Sequence, residues 1–316
     1  MAGLDKGVRL GLCQGMAVNL KQLEAFVVVA DLGSFRRAAE RLNTTQPNIS
    51  ARIAALEALL GLTLMERDAG SVRLTPRGEA LLTHARRVMA EVDAFLAATG
   101  EEALIDGTIR LGVTEVVAHV WLGRFLKALN ARYPNVLVEL NVDFSATLSE
   151  GLFSRALDLT FQSGPFDRQI SGTEALADYP MIWVAAPGFG LAGRRLGLEE
   201  VTAHPILTGA RATLLHQQLR AHVAEAGVRG ARIAPSTNLA ACIQMAIDGL
   251  GLACVPEVMA ADALESGELE QLDYPWAPDA LSFQARYDAE RAPVYVREAA
   301  RLAASIARGD AEGAPG

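Results

Sequence analysis

The sequence predicts an α/β protein with an N-terminal winged helix-turn-helix, a long linker helix and a two-lobed α/β domain. Three observations support this fold class. Short helices separated by tight turns occupy the first 60 or so residues, one amphipathic helix follows them, and strands then alternate with helices to about residue 306.

The first two helices are predicted over residues 21–32 and 34–42. The hydroxyl of Ser34 can cap the second helix, because it accepts hydrogen bonds from free backbone N–H groups. The same N-terminus, together with Arg36, offers a site for a DNA phosphate. Asn43 makes the tight turn that leads to the third helix.

The third helix, predicted over residues 45–60, carries the surface expected to read DNA. Thr45 can cap this helix, and Pro47 lies in its first turn, where a missing N–H costs little; both belong to the predicted DNA surface. Apolar residues at steps of four, three and four form one buried stripe, namely Ile49, Ile53, Leu56 and Leu60. The other faces carry polar residues that suit base edges and phosphates in the major groove, namely Gln46, Asn48, Ser50 and Arg52.

A small wing is predicted to follow. Strands over residues 64–67 and 71–74 can pair around a turn at residues 68–70. This places Arg67 and Arg73 where a wing meets the DNA backbone or the minor groove. For Arg67, pairing with a local carboxylate inside the wing is the alternative.

One long helix is predicted over residues 76–99. Its apolar residues recur with a period of about 3.5, as in the seam of a coiled coil, at Leu81, Ala85, Val88, Val92 and Phe95. This seam predicts self-association through the helix, whereas the alternative is a helix that packs on its own domain. His84, Arg86 and Arg87 are expected on or beside the solvated face.

Many residue types in this region stand at fixed offsets, as in Leu20-Lys21-Gln22-Leu23-Glu24-Ala25-Phe26, Gly33-Ser34-Phe35, Ala38-Ala39, Gln46-Pro47, Ser50, Leu56-Glu57, Leu60-Gly61, Glu66-Arg67 and Leu74-Thr75. The pattern strongly resembles the N-terminal domain of LysR-type transcriptional regulators. Met65 and Ala51 depart from it, since the family usually has Phe and often Arg there, which shifts the expected base contact to Arg52 or the wing. The resemblance implies a dimerising linker helix, and the family leans to tetramers.

A βαβαβ pattern comes next, with strands over residues 109–113, 136–142 and 157–161 and helices over 114–131 and 148–153. It predicts a parallel sheet covered by helices. A second lobe begins near Tyr179, with strands over 181–186, 205–207, 232–234 and 252–255 and helices over 213–225 and 239–248. A strand over 281–287 and a helix over 294–306 are expected to return to the first lobe.

Two such lobes resemble the periplasmic-binding-protein-like effector domain of the same family. The predicted organisation is a disordered leader (1–17), a winged helix-turn-helix (18–75), a linker helix (76–100), effector lobe 1 (101–178 and 279–308), effector lobe 2 (179–278) and a tail (309–316). Translation could start at Met1 or at Met16. Arg155 replaces the glycine that is usual three residues before Asp158 in the family.

Ligands of open α/β sheets bind at the carboxyl ends of the strands, where helix N-termini offer N–H groups to an anion. Eight residues are expected at these ends, namely Thr114, Ser145, Thr147, Gln162, Ser163, Thr208, Gly209 and Asn238. The family resemblance implies that Thr114, Ser145 and Thr208 contact a small effector, often an organic acid. The alternative is that each hydroxyl only caps its helix.

Two acidic residues, Glu115 and Asp143, lie near the same cleft and argue against an uncompensated anion. An amine, an amino acid or a polyol therefore remains open as the effector. Three further residues could line the cleft, namely Arg211, His216 and Phe283.

The net charge of −8 is unequally divided along the chain. Residues 1–90 hold 12 Lys and Arg against 8 Asp and Glu, which gives +4, whereas residues 91–316 hold 17 against 29, which gives −12. The acidic part should repel non-specific DNA and leave DNA contact to the N-terminal domain.

The three cysteines, Cys13, Cys242 and Cys254, show no metal-ligand spacing and no disulfide framework, which fits a reducing cytosol. No apolar run reaches the ~18 residues that span a bilayer, and residues 8–18 lack a convincing signal-peptide core and cleavage site. The expected location is therefore cytoplasmic, without a membrane partner.

Nothing in the sequence is typical of catalysis, a bound metal or a cofactor. The stretch from Gly188 to Gly193 fits G-x-G-x-x-G, but no amphipathic helix follows it and no acidic residue stands at the required distance. The five histidines have no metal spacing. The sequence therefore predicts no enzyme, no cofactor and no metal.

These observations predict a ligand-responsive DNA-binding regulator that acts as a homo-oligomer on double-stranded promoter DNA. A small metabolite bound between the lobes would change the arrangement of the subunits. The alternative is a solute-binding protein or an α/β enzyme with an accessory helical domain, which would need a secretion signal or a catalytic constellation. The sequence does not identify the effector or the operator. It also does not show whether the protein activates or represses transcription, or whether it forms a dimer or a tetramer.

Overall fold

The computed structural model describes residues 18–68, 71–98 and 105–309. The predicted leader (1–17), part of the wing turn (69–70), the junction of the predicted linker helix with effector lobe 1 (99–104) and the tail after residue 309 lie outside the described residues. The chain divides into two compact units, Met1–Glu101 and Glu102–Gly316, and each is described by itself.

The first unit consists of three helices, a two-stranded wing and a long helix. In chain order these are α1 (Leu20–Leu32), α2 (Phe35–Arg41), α3 (Gln46–Leu60), β1 (Met65–Asp68), β2 (Ser71–Leu74) and α4 (Pro76–Ala98). The two strands pair antiparallel. All bounds lie within one residue of those predicted, because capping residues and apolar periodicity mark them clearly.

The core of the first unit is built from one face of each helix. Its fully buried centre includes Phe26 and Val29 of α1, Ala38 of α2, and Ile49 and Ile53 of α3. Ala38 is small, so α2 and α3 approach each other closely. The buried stripe that the spacing predicts on α3 therefore faces the core.

The first half of α4 is part of this same core. Leu82 and Ala85 are buried in it, with 7% and 5% of their surface exposed. Arg86 forms an ion pair with Asp31 of α1 and only 20% of its side chain is exposed. Arg86 is therefore half-buried at the edge of the solvated face, where its guanidinium joins α4 to α1.

The first lobe of the second unit is a five-stranded sheet with helices packed on it. Its elements are β3 (Gly107–Val113), α5 (Glu115–Val120), α6 (Leu122–Arg132), β4 (Val136–Val142), α7 (Ser145–Phe153), β5 (Leu159–Ser163) and β6 (Gly172–Tyr179). Two elements from the end of the chain, β12 (Leu281–Tyr287) and α12 (Val294–Ala307), join this lobe. The strand order is β4-β3-β5-β12-β6.

The three strands of the predicted βαβαβ pattern are parallel as expected, because β3 pairs in parallel with both β4 and β5. The complete sheet is mixed, because the returning strand β12 runs antiparallel to both β5 and β6. The strand β6 was not predicted, since its polar, alternating sequence is that of an edge strand with one exposed face. Residues just before Tyr179 therefore complete the first sheet.

The predicted helix over residues 114–131 is broken at Trp121, which has non-helical backbone angles (φ −142°, ψ −1°). The indole is buried, with its ring centre 5.2 Å from that of Phe161 and 6.3 Å from that of Phe125. Packing against the sheet thus decides the break, and helical periodicity alone does not reveal it.

The second lobe has its own five-stranded sheet, in the order β11-β7-β10-β8-β9. Its elements are β7 (Met181–Ala185), α8 (Leu198–Thr202), β8 (Ile206–Thr208), α9 (Leu214–Glu225), β9 (Ile233–Pro235), α10 (Leu239–Ile247), β10 (Leu252–Pro256), α11 (Glu257–Glu265) and β11 (Glu270–Gln271). The elements α8, α11 and β11 were not predicted. Within the described part of the chain, no helix has the length and hydropathy needed to cross a membrane.

Candidate functional site

The N-terminus of α3 is held by local hydrogen bonds. The hydroxyl of Thr45, the N-cap, accepts from the backbone N–H of Asn48 at 3.4 Å. The side-chain amide of Asn48 in turn donates to the hydroxyl of Thr44 at 2.8 Å. Pro47 lies in the first turn, where its missing N–H leaves no broken hydrogen bond. These contacts fix the helix tip that carries Gln46.

Burial differs sharply between the two sides of α3. Ile49, Ile53 and Leu56 are at most 2% exposed. The predicted DNA residues lie on the remaining faces, where Gln46, Pro47 and Asn48 are exposed while Ser50 and Arg52 are half-buried. The tip of α3 therefore presents two side-chain amides to solvent, as a helix that enters a groove requires.

The beginning of α2 carries two more predicted DNA residues. Ser34 caps the helix by accepting from the N–H of Arg37 at 3.4 Å. Arg36 is 78% exposed and lies 3.6 Å from Glu40, one turn along the helix. Such exposed pairs stabilise a helix by only about 0.2–0.5 kcal/mol. The pair with Glu40 therefore does not prevent Arg36 from binding a phosphate.

The wing is attached to α3 through Glu57, a residue whose role was not predicted. Its carboxylate accepts from the backbone N–H groups of Leu64 at 2.7 Å and Met65 at 3.2 Å. Arg73 is exposed on β2, and the side chain of Arg67 lies outside the described residues. Glu57 thus anchors the start of β1, the strand that pairs with the Arg73-bearing β2.

The apolar seam of α4 divides into two halves. Ala85 packs in the core of its own domain, as the alternative reading of this helix predicts. Further along, Val88 is 44% exposed and Phe95 is 70% exposed, with the half-buried Val92 between them. Because these three residues follow at steps of four and three, they form one exposed apolar stripe.

In the first lobe, the carboxyl ends of the strands bring several predicted effector residues together. The hydroxyl of Ser145 accepts from the N–H of Ser163 at 3.2 Å, and the two hydroxyl oxygens are 3.4 Å apart. The amide of Gln162 donates to Ser149 at 3.2 Å. Thr147 is exposed on α7.

In the second lobe, the predicted residues meet at the N-terminal ends of α9 and α10. Thr208 ends β8 and is fully buried, and its carbonyl accepts from the thiol of Cys242 in α10 at 3.4 Å. A side chain at Gly209 would approach α9 to 3.2 Å, so the backbone is close-packed there. Asn238 caps α10 by accepting from the N–H of Ala241 at 2.6 Å.

The alternative that these side chains only cap helices holds for some of them and fails for others. Asn238 does cap its helix. The hydroxyl of Thr114 makes no capping bond, although Thr114 is the N-cap of α5. Among the described residues, the hydroxyl oxygens of Thr114 and Thr208 and Nδ1 of His216 are buried without a hydrogen-bond partner. Buried polar atoms are nearly always paired, so the two hydroxyls are available to a bound molecule.

A contact that was not predicted connects the lobes. The carboxylate of Glu115, the first residue of α5, accepts from the backbone N–H groups of Leu239 at 2.8 Å and Ala240 at 3.0 Å. These are the first two residues of α10. No local spacing reveals this contact, because the partners lie 124 and 125 positions away along the chain.

Three residues named as cleft candidates have different surroundings. Arg211 is exposed. His216 is buried, and burial together with the nearby Arg211 lowers the pKa of its imidazole. Phe283 belongs to the core of the first lobe, where its ring centre lies 5.5 Å from that of Tyr179.

The two cysteines in the described part of the chain, Cys242 and Cys254, are buried and free. Burial raises the pKa of both thiols, and for Cys242 the nearby Glu115 raises it further while a hydrogen bond with Ser236 lowers it. Cys13 lies outside the described residues. Among those residues, no group of three His, Cys, Asp or Glu could hold a metal ion.

The comparison with protein families matches both units. Residues 20–79 match the bacterial regulatory helix-turn-helix protein of the lysR family. Residues 102–305 match the LysR substrate binding domain. The probable hydrogen peroxide-inducible genes activator of Streptomyces viridosporus is 33% identical over 258 residues, which cover 79% of this chain and 82% of that protein.

Two solved structures share the fold over most of their length. ArgP from Mycobacterium tuberculosis is 22% identical with a TM-score of 0.58, and the match covers 90% of this chain and 96% of that one. CrgA, a LysR-type transcriptional regulator from Neisseria meningitidis, is 22% identical with a TM-score of 0.53, over 94% of this chain and 100% of that one. At this identity the likeness concerns the fold alone.

Proposed function

The chain belongs to the family of LysR-type transcriptional regulators, and on this premise we propose which of its residues bind DNA and effector. As a member of that family it is a ligand-responsive regulator rather than an enzyme. It binds promoter DNA through the helix-turn-helix and a small-molecule effector through the C-terminal domain, and it forms oligomers. The individual contacts below are proposals.

We assign base recognition to the tip of α3 in the major groove. Gln46 and Asn48 carry amides that pair with adenine edges, and Arg52 carries a guanidinium that pairs with guanine. The remaining residues would bind the sugar–phosphate backbone, namely Ser34, Arg36, Thr45, Pro47, Ser50, Arg67 and Arg73. The exposure of the α3 tip, on a helix whose apolar stripe is buried, supports this assignment.

We assign effector binding to the cleft between the lobes. The unpaired buried hydroxyls of Thr114 and Thr208 carry this assignment, because a ligand with polar groups would complete their hydrogen bonding. Ser145 and Ser163 supply further hydroxyls at the same end of the first sheet. Four more residues belong to the proposed site, namely Thr147, Gln162, Gly209 and Asn238.

The name of the Streptomyces relative raises peroxide as an alternative signal. Oxidants react with thiolates, and a thiol becomes reactive when its pKa is lowered and its sulfur is accessible. Cys242 and Cys254 have the opposite character, since both are buried and have raised pKa values. We therefore propose a bound metabolite rather than thiol oxidation at these two cysteines.

Effector binding would change how the paired subunits are arranged, and hence which half-sites their recognition helices reach. We propose that pairing occurs through the exposed stripe of Val88, Val92 and Phe95 on α4. A regulator that acts on promoters in a bacterium works in the cytoplasm, and we propose that location here.

The replacement Gln46→Ala tests the DNA assignment. It should lower the affinity for a promoter fragment from the protein's own genomic neighbourhood by about 1–3 kcal/mol, because the amide that reads a base is lost. Gel-shift titration at fixed salt measures this loss. Since Gln46 is exposed, the circular dichroism spectrum should stay unchanged.

Thr83→Ala is the matched control, because Thr83 is also exposed but lies on α4. Its affinity should equal that of the unmodified protein. Equal DNA binding by Gln46→Ala and Thr83→Ala would contradict the role assigned to the tip of α3.

A further inference from the structure

Glu115 occupies the place at which a helix would bind an anion. The first N–H groups of a helix have no partner within the helix and carry a partial positive charge. In α10, a helix of nine residues, the N–H groups of Leu239 and Ala240 donate to the two carboxylate oxygens of Glu115. The third N–H, of Ala241, donates to Asn238. The chain itself therefore supplies a carboxylate to this anion site.

This carboxylate belongs to the other lobe. Glu115 begins α5 in the first lobe, whereas α10 belongs to the second. Charge-assisted hydrogen bonds are the strong ones in proteins, so this pair of contacts holds the two lobes together across the cleft. The charge of Glu115 is thereby compensated, and it does not exclude an anion from the cleft as the sequence suggests.

Polar groups beside this contact lack partners. The hydroxyl of Thr114, the residue that precedes Glu115, is buried and unpaired. So is the hydroxyl of the fully buried Thr208, whose carbonyl accepts from the thiol of Cys242 in the first turns of α10. Near the N-terminus of α10, these two hydroxyls can therefore form hydrogen bonds that Glu115 does not satisfy.

We propose that Glu115 is an internal ligand of the cleft, which an effector bearing a small carboxylate displaces from the N-terminus of α10. The inference rests on the proposed effector site and adds its regulation. Binding of the effector would exchange an intramolecular carboxylate for one from solution, with the hydroxyls of Thr114 and Thr208 as additional partners. Glu115 consequently sets the effector concentration that is needed and selects for negative charge.

Removal of the internal carboxylate in Glu115→Ala tests the proposal in the full chain. The atoms deleted beyond Cβ correspond to acetate, so acetate is the probe. Hydrogen–deuterium exchange at the amides of Leu239 and Ala240 should accelerate roughly tenfold to a hundredfold in the variant, as expected when a charge-assisted hydrogen bond is lost. Sodium acetate should restore slow exchange in a saturable manner, whereas sodium chloride at equal ionic strength should not.

Two further variants serve as controls for this experiment. Glu115→Gln keeps the side-chain volume without the charge and should show an intermediate acceleration that acetate also reverses. Glu150→Ala removes an exposed glutamate from α7 in the same lobe and should exchange like the unmodified protein. Thermal unfolding of each variant reports whether it is folded.

Three results would overturn the proposal. The first is an unchanged exchange rate at Leu239 and Ala240 in Glu115→Ala. The second is an exchange rate in that variant that acetate slows no more than chloride does. The third is slower exchange of the unmodified protein in ethylammonium, which would make Glu115 a binding group for cations. If the protein still binds promoter DNA in the gel shift, each of these results contradicts the role of Glu115 and leaves the proposed regulatory function supported. Failure of the unmodified protein to bind any promoter fragment would instead contradict that function, whatever the exchange shows.

Discussion

Asn43 joins α2 to α3 with a left-handed backbone (φ +46°). Side chains other than that of glycine rarely adopt this region, and asparagine tolerates it best. The turn is closed by hydrogen bonds from the N–H of Asn43 to the carbonyl of Glu40 and from that of Thr44 to Ala39. The turn between the two helices thus requires a residue that tolerates a left-handed backbone.

Replacement of Asn43 by alanine should therefore destabilise the first unit by about 1 kcal/mol, the cost of a left-handed alanine. Asn43→Gly should change the free energy of unfolding by less, because glycine adopts this conformation without strain. Urea denaturation followed by circular dichroism measures both. A larger loss for glycine than for alanine would contradict this account of the turn.

Single residues also mark the limit of what the sequence reveals. Arg155 stands out in the sequence where the family usually has glycine, and its left-handed backbone (φ +62°) explains why glycine is usual there. The polar faces of α3 were also predictable from the sequence, because the buried residues of this helix follow helical spacing. The contacts of Glu57 and Glu115 were not predicted, since each depends on backbone N–H groups that the fold brings from elsewhere in the chain.

At the scale of elements, capping residues and periodicity identify helices and buried strands well. The errors occur where tertiary packing decides. Trp121 interrupts a helix because its indole packs on the sheet. The strand β6 alternates between buried and exposed residues and is recognised only by its pairing with β12. The antiparallel direction of β12 was likewise not predicted, because it depends on how the chain returns from the second lobe to the first sheet.

The stripe on α4 leads to a prediction about oligomers. The double replacement Val88→Asp with Phe95→Asp should weaken self-association at least tenfold, because two charges would be placed in an apolar contact. Sedimentation velocity over a concentration series measures the change.

Thr83→Asp supplies the matched control for this experiment. It adds the same side chain at an exposed position five residues before Val88, on another side of the helix. Its association should equal that of the unmodified protein. An unchanged oligomer in the double variant would show that subunits associate elsewhere.

At the scale of the whole molecule, DNA binding and effector binding are assigned to separate units, and charge is divided in the same way. The first 90 residues carry +4 and the remainder −12. A positive region strengthens binding to phosphates, and a negative one weakens non-specific attraction. Changes in the effector cleft should accordingly alter the response and leave DNA affinity unchanged.

Thr208→Val tests this separation. Valine has nearly the shape of threonine and removes a buried unpaired hydroxyl, so the melting temperature should rise, by an amount that corresponds to about 1 kcal/mol. The promoter's response to effector should decrease, while affinity for the promoter fragment stays the same. A lower melting temperature would mean that the hydroxyl has a partner within the protein.

The attachment of α4 to α1 has a consequence for the operators that this protein accepts. Leu82, Ala85 and Arg86 join α4 to the core that also carries the recognition helix, so the first half of α4 has a fixed orientation relative to α3. In a pair of subunits, the crossing angle of the α4 helices would then fix the number of base pairs between the half-sites. Tolerance for different operator lengths would accordingly be decided by side chains that never touch a base.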